Sequence, residues 1–122
     1  MNRKTRTITV NGVQYVWWYK IRWGACIFLS TINDKTSMIT VEFPCEDKIK
    51  YDEHDVVFPE YIIMKKDNKE YCVNTIGPKM ASLMLSYLSD AFKSRKNIIY
   101  NGYDLLSKMG YIISEVKNRW YW

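Results

Sequence analysis

The pair Asn11-Gly12, set between the β-prone runs 7–10 and 13–23, constrains this chain more than any other feature. A two-residue type I′ turn needs φ > 0 at both central positions. Asn and Gly tolerate that best, so the two runs are expected to fold as a hairpin. Beyond the turn, period-2 alternation places Val13, Tyr15, Trp17, Tyr19, Ile21 and Trp23 on one face. Gln14, Val16, Trp18, Lys20 and Arg22 fall on the other. The first set is wholly apolar or aromatic and is expected to floor the core. The second strand outruns the first, so its far end needs another partner.

Gly24 breaks the run, and 25–32 reads as a third strand that ends at the turn Asn33-Asp34-Lys35. In 37–43, Met38, Thr40 and Glu42 alternate with Ile39, Val41 and Phe43, the mark of a half-buried strand. Four successive strands with short turns imply an antiparallel meander. The stretch 44–59 is bracketed by Pro44 and Pro59 and carries Glu46, Asp47, Asp52, Glu53, Asp55 and the single His54. It reads as a surface loop, folded back through Val56, Val57 and Phe58. A second hairpin is expected from 61–64 and 69–73 around Lys65-Lys66-Asp67-Asn68.

From Pro78 the period changes: Ala81, Met84, Leu85, Leu88, Ala91 and Phe92 recur at helical spacing. The pattern predicts a helix over 78–96, with Pro78 in its first turn and Thr75 or Gly77 as cap. Lys93, Arg95 and Lys96 would favour the negative end of its dipole. Asn101 is placed to cap a short helix reaching Met109, with Gly110 as a left-handed stop and 111–116 as a last strand. Trp120-Tyr121-Trp122 are expected to dock on the body or to pair two copies as a homodimer. The fold class implied is α+β, one domain over 1–122. An antiparallel five- to six-stranded meander sheet carries one main helix (78–96) on one face, followed by a short C-terminal helix and strand. A chain of this length buries roughly two-thirds of its unfolded surface, enough for one core.

Composition bears mainly on function. Aromatic residues make up 16% of the chain, with ten Tyr and five Trp, side chains that suit strand cores and interaction surfaces alike. The net charge of +5 conceals a partition. Residues 1–25 carry five basic and no acidic residues, 26–60 eight acidic and three basic, and 61–122 ten basic and five acidic. The acidic middle weakens the nucleic-acid inference that a basic total invites. Cys26, Cys45 and Cys72 are odd in number and widely spaced, without a CxxC pair, which argues against a zinc site. Cys26 and Cys72 lie inside apolar strand patterns and are expected to be buried, inert thiols in a reduced cytoplasm. No apolar run follows the N-terminal Met1-Asn2-Arg3-Lys4, and nothing nears the ~18 residues of a membrane span, so no membrane association is expected.

Catalytic arrangements are hard to assemble. His54 with Asp52, Asp55 and Glu46 would make a weak oxygen-rich metal site at best, with no EF-hand spacing. Cys45 and His54 form a Cys–His pair with nothing to orient it, and Glu46 with Asp52 would need an apolar pocket to do acid–base work. No glycine-rich phosphate loop is present. The chain is therefore expected to be non-enzymatic, with no metal or cofactor.

In wording, the opening Val10-Asn11-Gly12 with Tyr15 and Trp18 (one position later than in the pattern), and the Pro-started amphipathic helix with Ile76, Pro78, Leu83 and Met84, resemble a class of small uncharacterised bacterial α+β proteins. The resemblance covers about a third of the chain and is structural in content, a turn and a helix start; it implies an accessory, interaction-type role and carries over no catalytic residue. The expectation is a cytoplasmic macromolecule-binding module of inhibitor, immunity or adaptor type. Its partner would be another protein, contacted through Glu46, Asp47, Asp52, Glu53 and Asp55 and through outward aromatics. The alternative is single-stranded nucleic-acid binding through Trp18, Lys20 and Arg22 on one basic-aromatic strand face.

Overall fold

A computed structural model describes residues 5–21, 24–33, 37–45, 56–94 and 97–121. Strands β1 (Arg6–Val10) and β2 (Val13–Ile21) form the expected hairpin, with Asn11 and Gly12 both at positive φ, 52° and 80°. β3 (Gly24–Thr31) and β4 (Met38–Pro44) complete the meander, and β3 supplies the partner for the overhanging end of β2. Gly24 takes φ 145° where a Cβ would meet the Phe43 carbonyl oxygen at 2.6 Å, so the β3 entry admits no side chain.

The α+β class holds, and the later strands divide between two sheets. β5 (Val56–Lys66) and β6 (Lys69–Asn74) form the second hairpin, turning at Asp67 and Asn68, both also at positive φ. They join β8 (Ile112–Tyr121) in a three-stranded sheet of order β6-β5-β8. The fifth strand of the first sheet is instead β7 (Ile98–Asn101), which pairs in parallel with β4. Phe58 and Pro59, read from sequence as the end of a loop, belong to β5. Pro59 is accommodated because β5 outruns β6 there and a bulge separates Pro59 from Tyr61.

Helix α1 (Pro78–Leu88) follows Gly77, its N-cap, with Pro78 in the first turn. Thr75, the other candidate cap, is fully buried: its hydroxyl donates to the Pro59 carbonyl at 2.5 Å and its N–H to the Glu60 carbonyl at 2.9 Å. The helix is α only to Leu88 and tightens to 3₁₀ over Ser89–Ser94, where Ser and Asp compete for local backbone groups. The tighter winding leaves Phe92 against Tyr15, ring centroids 5.4 Å apart. Helix α2 (Gly102–Lys108) begins as expected, the Asn101 side chain accepting from the N–H groups of Tyr103 and Asp104. It ends in a full Schellman motif: Gly110 at φ 98° donates to Ser107 O, and Tyr111 donates to Leu106 O.

The core lies between the inner face of the first sheet and a layer made by α1, α2 and the second sheet. Trp17, Leu29 and Ile39 stand in one register row, Ile27 and Val41 in the next. Met80, Met84 and Leu85 of α1, Ile62 and Met64 of β5, and Leu106 of α2 close over them, all fully buried. The floor is narrower than alternation suggests. Tyr15 and Trp17 are buried, but Val13 beside the turn is 46% exposed and Tyr19 40%. Tyr19 lies beyond the last β1 pair, Arg6 with Trp17, and the Arg6 guanidinium spans both rings at 5.3 and 5.8 Å. No helix among the described residues is long and apolar enough to cross a membrane.

Candidate protein-binding face

The outer face of the five-stranded sheet carries apolar side chains that the core does not use. Alternation along β2 turns Val16, Trp18 and Lys20 away from the core, and the same rule turns Cys26, Phe28 and Ser30 outward on β3. Register then aligns them. Trp18, Phe28, Thr40 and Ile99 stand side by side across four strands, with Val16, Ser30 and Met38 in a neighbouring row. Trp18 and Phe28 stack with ring centroids 5.5 Å apart and planes only 14° from parallel. Both are half-buried, and Ile99 at the edge is 67% exposed. None of Val16, Trp18, Phe28, Met38 or Ile99 belongs to the core cluster or to the hydrophobic residues packed against it.

The adjoining row is Lys20, Cys26 and Glu42. Burial pushes the Cys26 thiol above its ordinary range. Glu42 raises it further, and Lys20 pulls the other way. The one described cation of the predicted basic-aromatic set thus shares its row with a carboxylate. They stand two strands apart, on the order of 10 Å. A phosphate chain approaching Lys20 meets Glu42 as well.

Of the residues expected from sequence to bind, Trp18 and Lys20 lie together on this face. Arg22 lies outside the described residues, as do Glu46, Asp47, Asp52, Glu53, Asp55 and His54. Among the described residues no group of three or more His, Cys, Asp or Glu is placed to hold a metal ion. Cys26 is half-buried, short of the burial expected, and Cys72 is exposed. The β5–β6 register pairs it with Ile63 on the outer side of the second sheet and turns Val73 inward instead. Burial also raises the Cys45 thiol, so neither it nor Cys26 is poised as a thiolate nucleophile.

Phe28, Met38 and Ile99 were not singled out from sequence. The β3 run is apolar on both parities, so period alone does not separate its two faces. The signal that could have found Phe28 is its register opposite Trp18, set by the pairing of Ile21 with Ala25. Compared with protein-family models, curated proteins and solved structures, the chain matches none.

Proposed function

We propose that this chain is a non-enzymatic protein-binding module of accessory type, whose contact surface is the outer face of the five-stranded sheet. The observation that carries the reading is the Trp18–Phe28 stack, extended by Ile99 in the same row and lying outside the core. Apolar surface outside the core is what a protein partner buries; here it is the Trp18–Phe28 stack, with Ile99 beyond Thr40, and a stacked aromatic pair presents large rigid area at little entropic cost. Lys20 and Glu42 at the rim would set orientation.

The test is site-specific photo-crosslinking from a benzophenone amino acid at position 99, in cells, with and without Trp18→Ser. A discrete protein adduct that disappears in Trp18→Ser, while the variant keeps its circular dichroism, supports the reading. Adducts that persist in Trp18→Ser, or none at all, remove it. Nucleic-acid binding is separated by fluorescence anisotropy with labelled oligothymidylate. The Lys20–Glu42 row favours no saturable binding at physiological salt. Tight binding abolished by Lys20→Glu would replace the protein reading with the nucleic-acid one.

A further inference from the structure

The second sheet carries another surface, independent of the face just described. β8 is an edge strand, ten residues long, paired on one side with β5. Of the other edge strands, β7 has only four residues and β1 and β6 pack against α1; β8 packs against α2, whose Tyr103 faces it across a cleft. Along β8 runs a cleft of about 380 Å³, lined by Ile113, Ser114, Glu115, Val116 and Asn118 and, across from them, by Pro44 and Tyr103.

The lining pattern identifies what the cleft touches. Side chains alternate between the faces of a strand, so a cavity over one face would be lined by every second residue. Across the bulge at Ser114 the faces are read from the partners: Ile113 and Val116 stand opposite the buried Met64 and Ile62, Glu115 opposite Ile63 on the other face, and all three line the cleft. The cleft therefore runs along the edge of β8, where alternate N–H and C=O groups point away from β5. Ser114 is the bulged residue, and its hydroxyl donates to the Ile63 carbonyl at 3.0 Å, which anchors β8 to β5 at the point where the ladder slips.

The opposite wall is different in kind. Pro44 has no N–H, and its carbonyl already accepts from the Tyr103 hydroxyl at 3.0 Å. That wall offers ring surface in place of backbone bonding. Glu115 is the one charged side chain among the described residues that line the cleft.

We infer that the edge of β8 that pairs with no described strand takes an extended peptide as a fourth strand of the second sheet. One edge of the peptide bonds to β8, and the other rests on the Pro44 and Tyr103 rings. A Lys or Arg of the peptide lies beside Glu115. The run from Ile113 to Asn118 spans roughly 17 Å, the reach of five or six extended residues.

The experiment uses the full chain, isotopically labelled, and a capped hexapeptide Val-Thr-Lys-Val-Thr-Val as probe. Titration is expected to shift and slow the exchange of the 113–118 amides. Two versions of the peptide, N-methylated at alternate positions, should differ: the one whose donors face β8 loses binding and the other keeps it. Glu115→Lys should weaken the Lys peptide by about tenfold and favour the version with Glu in place of Lys. No change at the 113–118 amides up to about 1 mM peptide overturns the inference, as does equal binding of both methylated peptides. Trp18→Ser leaves these shifts unaltered, which separates the two surfaces.

Discussion

Replacing Thr75 by Val tests how the second sheet is tied to helix α1. Thr75 is fully buried, and its hydroxyl donates to the Pro59 carbonyl at 2.5 Å, just where β5 slips register. Val keeps the shape and removes the donor, leaving the Pro59 carbonyl in the interior without this partner. An orphaned buried acceptor costs about 1–3 kcal/mol. For a domain of this size that lowers Tm by roughly 4–12 °C. In urea, with an m-value of about 1–2 kcal/mol per molar, the midpoint falls by about 0.5–3 M. Thr75→Ser is the counterpart: it keeps the hydroxyl and deletes one methyl, for about 1 kcal/mol. Equilibrium urea unfolding of the three proteins, followed by tryptophan fluorescence, therefore ranks them wild type, Ser, Val. A Val variant within about 0.5 kcal/mol of wild type would refute the hydrogen-bond argument. A Ser variant falling further than Val would assign the effect to methyl packing instead.

Gly102→Ala should lower stability by about 1–3 kcal/mol, although Ala is the better helix former. The added Cβ would stand 2.2 Å from the buried Phe43 ring, and Phe43→Leu in the same background should restore part of the loss in thermal melts. Asn101→Ala removes the acceptor for two N–H groups of α2 and should cost about 1 kcal/mol, while Asn101→Asp stays near wild type in the same melts. The Cys26, Cys45, Tyr15 and Tyr111 shifts are all upward, led in each case by burial. The folded chain thus holds these protons more tightly than the unfolded one. Their contribution is fully present below the unfolded pKa values, about 8.5 for Cys and 10 for Tyr, and is lost as pH rises through the folded ones. Urea midpoints should hold to about pH 8 and then decline; a midpoint that rises with alkaline pH would contradict the sign.

Where local sterics decide, the sequence was readable. Asn11-Gly12 and Asn101 with Gly110 each act over four residues or fewer, and the structure shows the turn, the cap and the stop at those positions. The α1 stripe was also legible, since Met80, Ala81, Met84, Leu85 and Leu88 bury the face that helical spacing marks. Where long-range pairing decides, reading failed. β7 has four residues, too few to show a period, and its parallel partner β4 lies more than fifty positions earlier. Phe58 and Pro59 were hidden by the acidic stretch before them and by the proline itself. Only the distant β8 reveals them as strand. Alternation assigned Tyr19 to the core side correctly but carried no information on where β1 would stop covering it.

The same limit governed the candidate face, and magnitudes bear on the role proposed for it. Trp18 was visible as outward, yet alone it reads as an ordinary strand residue. Phe28 beside it makes a cross-strand aromatic pair, which stabilises a sheet by about 0.2–1 kcal/mol relative to alanine. That gain could be had from smaller β-branched residues, which would leave less ring surface on a face that the core does not use. As a central contact, by contrast, a buried aromatic is worth about 2 kcal/mol or more. The binding term exceeds the folding term, and the arrangement extends beyond the stacked pair. Ile99 stands in the same row at the sheet edge, beyond Thr40, 67% exposed. The row assembled from β2, β3 and β7 is the surface that the proposed reading gives to a partner.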